Sequence, residues 1–526
     1  MPFPASARIN GRGAVIYLVG SGPGDPGLFT VKGVRCLEEA DAVVYDRLAP
    51  EALLRHAKPA TERVYVGKKP GKPTMPQEEI NGLLVELGRA GKTVVRLKGG
   101  DPYVFGRGGE EALALIEAGL PFEVVPGVTS GIAAPAYAGI PVTHRGVSTS
   151  VAFVTGHEDP AKGHQDVDWK KLANGADTLV LYMGVGRLAE ISASLVSAGR
   201  SPDTPVAVVR WGTIPEQRTV TGTLEDIAER IAEAGLNPPA ITVVGDVVAL
   251  RESGLDWFER RPLFGRRIVV TRARAQAGEL SARLEALGAE AVEFPTIEIA
   301  SPEDFGPLDG AIRELDSFDW LIFTSVNGVE ALVERLKFHG LDLRTVSRGA
   351  KIAAIGPATA ERTEALGLRV DVMPAEYRAE ALLEEIAGDS LAGKRVLILR
   401  AKVAREILPD KLREAGAEVV VPPAYESVPS SEGKSDLAKR LEAGDVDCVT
   451  FTASSTVENF VRAIGEEEAI HLLDDTRVVC IGPITADTAR ERGIRVDAEA
   501  REYTIAGLVE AVTDLFAADP AERGDP

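Results

Sequence analysis

The chain has 526 residues, too many for one hydrophobic core, so several domain-sized units are expected. Hydrophobic residues make up 45% and charged residues 26%, as in ordinary globular proteins, and a formal net charge of −20 offers nucleic-acid phosphates no bulk attraction. Cys36, Cys448 and Cys480 form no CxxC pair and the six histidines show no paired spacing, which argues against a disulfide framework and against a metal site. No apolar run approaches the roughly 18 residues of a membrane span. Met1 to Gly13 has no apolar signal core, so the expected setting is the cytoplasm, with neither membrane nor nucleic acid as partner. Residues 1–12 and 517–526 read as flexible tails.

Short apolar runs at Ala14–Val19, Ala42–Tyr45, Thr93–Leu97 and Phe122–Val125 each end at Gly, Pro or Asp. Amphipathic stretches at Thr30–Ala40 and Gln77–Ala90 lie between them. This alternation predicts an α/β fold with mostly parallel sheets, in which ligands bind beyond the carboxyl ends of the strands. The first run leads into VGSGPGDPGLFT (Val19–Thr30), and Asp46 ends the second run, as a ribose-binding acid would in a dinucleotide site. Pro23 and Pro26 count against that reading, because they remove N–H donors from the loop that would cradle a pyrophosphate. A tight Gly/Pro turn is the competing reading. Further loops follow at VVRLKGGDPYVFGRGGEE (Val94–Glu111), VVPGVTSGIAAPAYAGIPVTHR (Val124–Arg145), LYMG (Leu181–Gly184) and RWGT (Arg210–Thr213).

A charged break, GLDWFERRPLFG, spans residues 254–265, and a linker is expected over 259–264. Beyond it the sequence is duplicated. GRRIVVTR at Gly265 returns as GKRVLILR at Gly393, and FDWLIFTS returns as VDCVTFTA, both with an offset of 128. IGPAT at Ile355 returns as IGPIT at Ile481, GLRVD as GIRVD, and Tyr377 as Tyr503, with an offset of 126. Two similar α/β lobes follow from this, one over 265–298 plus 428–516 and one over 299–427, with a cleft between them as a ligand site.

The ordered loops of the first half, together with VVYDRL (Val43–Leu48) and VGKK (Val66–Lys69), resemble the uroporphyrinogen-III C-methyltransferases of the tetrapyrrole methyltransferase family. The likeness covers about residues 14–257 and implies a domain over 13–258 with two α/β lobes and S-adenosylmethionine between them. By motif it implies cofactor contacts at Pro23, Gly99, Gly100, Asp101, Val104, Thr129, Ser130, Met183, Gly212 and Ala240. Gly99 and Gly100 would let backbone approach the cofactor closely, while Met183 could equally be core. Asp46 takes the family's position for proton acceptance and Lys68 that for proton donation. Asp46 could instead pair with Arg47 or Lys68, and Lys68 could bind a substrate carboxylate. Arg47, Lys98, Arg107 and Arg145 are further candidates for the carboxylates of a polyanionic substrate. A homodimer through this half is also expected.

The second half resembles uroporphyrinogen-III synthase over about residues 265–515, through VVTRA, IFTSVNGV, AIGPATA, LILRA, YESV, FTASSTV and CIGPITA. That likeness implies closure of hydroxymethylbilane with inversion of the last ring. This reaction needs a held conformation more than an acid or base. Backbone donors and Ser325, Thr359, Ser454 and Thr485 would bind carboxylates, with Arg272, Arg400 and Lys402 adding charge. Tyr425 takes the place of a tyrosine proposed to assist hydroxyl departure, or acts as a hinge residue. Thr359 and Thr485 could instead cap helices. The joint expectation is a bifunctional enzyme that makes uroporphyrinogen III and methylates it twice to precorrin-2, towards sirohaem or cobalamin. The alternatives are a later corrin-ring methyltransferase and a two-lobed ligand-binding module.

Overall fold

The structure, a computed structural model, describes residues 15–67, 75–156, 167–272, 274–374, 379–386, 391–403, 406–429 and 434–518. Lys68 and Tyr377 lie outside the described residues. The chain divides into two compact units: residues 1–267 with 284–290 and 513–526, and residues 268–283 with 291–512.

The first unit holds two sheets. Strands β1 (Ile16–Gly20), β2 (Ala42–Tyr45), β3 (Glu62–Tyr65), β4 (Val94–Lys98) and β5 (Phe122–Val125) form a parallel sheet in the order β3-β2-β4-β1-β5. Alternate residues of these strands feed two separate cores. Val19, Val43, Val95 and Leu97 pack with Leu37 and Leu53 on one face. Ile16, Leu18, Val44 and Val94 pack with Leu84 and Leu115 on the other. Helices cover both faces, which is why these strands read as unbroken apolar runs rather than alternating ones. Strands β6 (Val151–Thr155), β7 (Thr178–Tyr182), β8 (Pro205–Arg210), β9 (Arg218–Thr223) and β10 (Ala240–Val244) form the second sheet, β6-β7-β10-β8-β9. Here β10 runs antiparallel to both neighbours.

In the second unit, β11 (Arg267–Val270, whose Arg267 is assigned to the first unit), β12 (Glu290–Glu293, whose Glu290 is likewise), β13 (Ile297–Ala300), β14 (Trp320–Phe323), β15 (Lys351–Ala354), β16 (Arg395–Ala401), β17 (Glu418–Val420), β18 (Pro423–Pro429), β19 (Cys448–Phe451), β20 (Arg477–Cys480) and β21 (Ala498–Glu499) make two more sheets. Their orders are β12-β11-β19-β20-β21 and β13-β18-β16-β14-β15, with β17 on the edge of β16. The sequence duplication is visible strand for strand: β11 corresponds to β16, β12 to β17, β19 to β14 and β20 to β15. The expected lobe boundaries at 298/299 and 427/428 cut through an antiparallel pair, β13 with β18, which belongs wholly to the second sheet. The chain enters that lobe on β13 and leaves it on β18.

The segment expected as a linker is packed. Leu263 is fully buried, its N–H donates to Leu287 O at 2.9 Å, and Phe258 stacks edge-on with Tyr137 and Phe264. Among the described residues no helix is long and apolar enough to cross a membrane, and no group of His, Cys, Asp and Glu is arranged to hold a metal.

Candidate active site

The first unit contains a cavity of about 910 Å³ beyond the carboxyl ends of β1, β2 and β4. All ten residues expected to touch the cofactor line it, from Pro23 to Ala240, and so do Asp46, Arg47, Lys98 and Arg107. Arg145 does not. Met183 is 56% exposed and faces the cavity, so it is not a core residue.

Backbone crowding explains the glycines. A Cβ on Gly20 would sit 2.5 Å from Gly100 O, one on Gly127 2.3 Å from the same oxygen, and one on Gly99 2.6 Å from Leu48 Cβ. The loop after β1 pairs with the loop after β4 through Gly22 N–H to Gly100 O (3.2 Å) and Gly100 N–H to Gly22 O (2.7 Å). Asp101 braces the second loop, accepting from Tyr103 N–H at 2.8 Å and Gly127 N–H at 3.1 Å. Pro26–Leu28 is a short 3₁₀ turn capped by Asp25, whose carboxylate accepts from Gly27 N–H at 2.7 Å. The tight-turn reading of that loop therefore holds locally.

Five non-glycine residues among those described have a left-handed backbone: Phe105, Arg107, Met183, Trp211 and Thr213. The first four line the cavity and Thr213 follows Gly212 on its wall. Such conformations cost about 1–3 kcal/mol each and persist where the surroundings force them. Across the cavity, the Arg47 guanidinium lies 5.9 Å from the Trp211 ring centroid. Tyr182 at the end of β7 accepts from Gly131 N–H at 2.8 Å and shares a 2.6 Å hydrogen bond with the Thr129 hydroxyl.

Asp46 pairs neither with Arg47 nor within the described residues with any lysine. Its partner is Arg96, whose Nη2 donates to Asp46 Oδ2 at 2.9 Å. Leu48 N–H donates to Asp46 Oδ1 at 3.1 Å. Arg96 was not singled out in the sequence; its one signal was a lone arginine inside the apolar run VVRLK. Lys98 is no free arm for a substrate. It is 3% exposed and its Nζ donates to Glu111 Oε1 at 2.7 Å. Burial, reinforced by the neighbouring Arg96 charge, lowers its pKa below the ordinary lysine value. Arg107 is exposed and paired with Glu110 at 2.7 Å.

In the second unit, the Tyr425 hydroxyl on β18 lies 2.9 Å from Ser325 Oγ. Ser325 also caps the helix Val326–Phe338 by accepting from Gly328 N–H at 3.3 Å. Ser454 Oγ accepts from the Thr488 hydroxyl at 2.8 Å. Arg400 is 7% exposed and paired with Glu406, and Lys402 pairs with Glu426 at 2.8 Å. Burial lowers the pKa of Arg272. Thr359 and Thr485 are 4% and 5% exposed, at the third positions of helices Pro357–Ala365 and Pro483–Glu491. They do not cap: the cap residues are Gly356 and Gly482, because Pro at the first helical position moves the cap back onto the preceding glycine.

Two family models match the chain. Residues 15–228 match the tetrapyrrole (corrin/porphyrin) methylases, and residues 278–510 match uroporphyrinogen-III synthase HemD. The porphyrin biosynthesis protein HemD of Ruminiclostridium josui is 36% identical over 500 residues, covering 95% of this chain and 98% of that protein. The chain belongs to this family of fused tetrapyrrole methylase and uroporphyrinogen-III synthase proteins. Its first half is also 52% identical over 244 residues to the S-adenosyl-L-methionine-dependent uroporphyrinogen III methyltransferase of Methanosarcina barkeri, covering 46% of this chain and 96% of that one. A crystal structure of uroporphyrin-III C-methyltransferase from Thermus thermophilus with S-adenosyl homocysteine is 46% identical and covers 45% of this chain and 100% of that one, with a TM-score of 0.39.

Proposed function

We propose that the protein is a bifunctional enzyme of tetrapyrrole biosynthesis. Its second unit closes hydroxymethylbilane to uroporphyrinogen III with inversion of the last ring. Its first unit methylates that product twice to precorrin-2. The observation that carries the methyltransferase reading is the 910 Å³ cavity, where strained backbone and crowded glycines present main-chain donors and acceptors.

S-adenosylmethionine fits this wall. Gly100, at φ +66° with no atom nearer than 3.7 Å to its missing Cβ, leaves backbone open to a ligand, and Asp101 and Thr129 add polar atoms. Val104 and Met183 supply apolar surface for an adenine ring and a thioether chain. When bound, the cofactor supplies a methyl group on a sulfonium. The chain's own residues do the rest. Arg47 and Arg107 engage the carboxylates of the substrate, and the Asp46 carboxylate takes up the proton released from the alkylated ring carbon. Lys68 is proposed as the proton donor. In the second unit, Tyr425 assists departure of the hydroxyl, and Ser325, held at 2.9 Å from it, sets its orientation.

The proposal further divides the chain into a methyltransferase over 13–258 and a synthase over 265–516, places it in the cytoplasm, and makes it a homodimer through the first unit. Light scattering of residues 1–264 alone tests both fold and dimer. The activity is tested by incubating the full protein with hydroxymethylbilane, with and without S-adenosylmethionine, and identifying the tetrapyrroles. Uroporphyrinogen III alone, converted to precorrin-2 when the cofactor is added, is the expected result. The uninverted isomer in the first case, or no methylation in the second, overturns the corresponding half.

A further inference from the structure

Strand β4 places two cations two residues apart on one face, Arg96 and Lys98, and buries both to 3% exposure beside the cavity. Both point at Glu111, on the helix Gly108–Glu117, which is 0% exposed. Glu111 Oε1 accepts from Arg96 Nε at 3.1 Å, Lys98 Nζ at 2.7 Å and Gln77 Nε2 at 3.1 Å. Its Oε2 is buried without a hydrogen-bond partner. The Arg96 guanidinium also donates to Val44 O (3.4 Å) and Leu97 O (3.0 Å) through Nη1 and to Asp46 Oδ2 (2.9 Å) through Nη2. Every arm of Arg96 is thus fixed to β2, β4 or the helix, and the arm that reaches the cavity ends on Asp46.

A buried ionic network is a poor way to gain stability, since well-packed apolar residues of similar volume do as well or better. Its presence under a carboxylate that lines the cavity needs another reason. We propose that Arg96 and Glu111 are positioning residues for Asp46: Glu111 fixes the Arg96 guanidinium, and that guanidinium holds the Asp46 carboxylate in one orientation for proton uptake. The proposal rests on the reading of Asp46 as proton acceptor.

Glu111→Gln keeps the shape and loses the charge and part of the acceptor capacity. Charge-assisted hydrogen bonds are worth about 1.5–3 kcal/mol, so kcat for methylation of uroporphyrinogen III should fall roughly 10- to 100-fold. KM for uroporphyrinogen III and the Kd of S-adenosylhomocysteine should stay within about 3-fold, because Glu111 does not line the cavity. The decisive readout is the double variant. In an Asp46→Asn background, Glu111→Gln should lower kcat by less than about 2-fold, because the residue through which it acts is already gone. Arg96→Lys keeps the charge but cannot bridge both carboxylates, and it should show the same kcat loss and the same lack of additivity; it carries the test if Glu111→Gln does not fold. Wild-type kcat in either folded variant, full additivity with Asp46→Asn, or a loss confined to KM overturns the positioning role. If Asp46→Asn itself turns over normally, the proton-acceptor reading fails first and the positioning role falls with it.

Discussion

Glu259→Ala tests whether the segment joining the two halves is part of the methyltransferase site. A chain of hydrogen bonds leads from the cavity wall to this residue. Asp25 N–H donates to the Thr213 hydroxyl at 3.0 Å, and Thr213 N–H donates to Gln217 Oε1 at 2.9 Å. Gln217 Nε2 and the Thr219 hydroxyl both donate to Glu259 Oε1, at 2.7 and 2.6 Å. Arg251 pairs with the other oxygen and also reaches Ala138 O. The side chains of Arg251 and Glu259 are 14% and 12% exposed, so the pair is largely withdrawn from solvent. Removing one partner of a fully buried pair costs about 3–5 kcal/mol, and partial exposure brings this to roughly 3 kcal/mol, with the two stranded donors included. For a unit of this size that lowers the melting temperature by about 6–12 °C. Gln217 also tethers Thr213, held at φ +80° next to Gly212. If about 1 kcal/mol of that strain is released when the tether loosens, the Kd of S-adenosylhomocysteine rises roughly 5-fold. Scanning calorimetry and titration calorimetry on the full chain give both numbers, and uroporphyrinogen III formation should be unchanged. A variant with wild-type melting and wild-type affinity would refute the coupling and make the segment a plain connector.

Asp46→Asn should slow methylation by about 10² while S-adenosylhomocysteine affinity stays within a few-fold, the scale of a lost general base, and near-normal turnover rejects that role. Burial pushes the Cys36 thiol up to about 11 and the Cys480 thiol up to about 12, and pushes Cys448 up as well. At pH 8 a thiol at 11 is only ~10⁻³ ionised, so a disulfide reagent should titrate these thiols only after denaturation. Rapid labelling of the native protein contradicts that burial. Tyr425→Phe removes the hydrogen bond to Ser325 and should cost about 1 kcal/mol in stability. If the phenol assists hydroxyl departure, rate also falls on the order of 10² and the uninverted isomer appears in the product. Full rate with only the inverted isomer makes Tyr425 structural.

What the sequence carried was order and spacing. The offsets of 128 and 126 became corresponding strands because a duplicated α/β lobe must place equal runs at equal sheet positions. Strand-end loops led to the cavity for the same reason: parallel strands all open at one edge. Partners across elements were not legible. Asp46 had Arg47 next to it in the chain, yet successive side chains point apart, and its partner Arg96 stands on the neighbouring strand in register with Val44, two residues before Asp46. Glu111 lies fifteen residues beyond Arg96 and directly follows Glu110 in the same helix. Only the helix phase decides that Glu110 faces solvent and Glu111 faces β4.

The two halves also differ in where they hold strain, and this bears on how each works. All five left-handed non-glycine residues described lie in the first unit, at or next to one cavity. At about 1–3 kcal/mol each, they represent a real cost, and a site that must hold a small flexible cofactor and a reacting carbon in line has a use for rigid, preset backbone. The second unit has no such residue among those described. Its candidate groups instead stand on two repeats of one lobe joined through the antiparallel pair β13–β18, and Tyr425 sits on β18, next to β16. A linear tetrapyrrole must be wrapped before it closes, so the relative placement of these groups matters more than any one of them. Changes in β13 or β18 that alter the crossing should therefore shift the isomer ratio of the product more than they shift affinity. Changes at Trp211 or Met183 in the first unit should do the reverse, weakening S-adenosylhomocysteine binding while leaving the isomer ratio as it was.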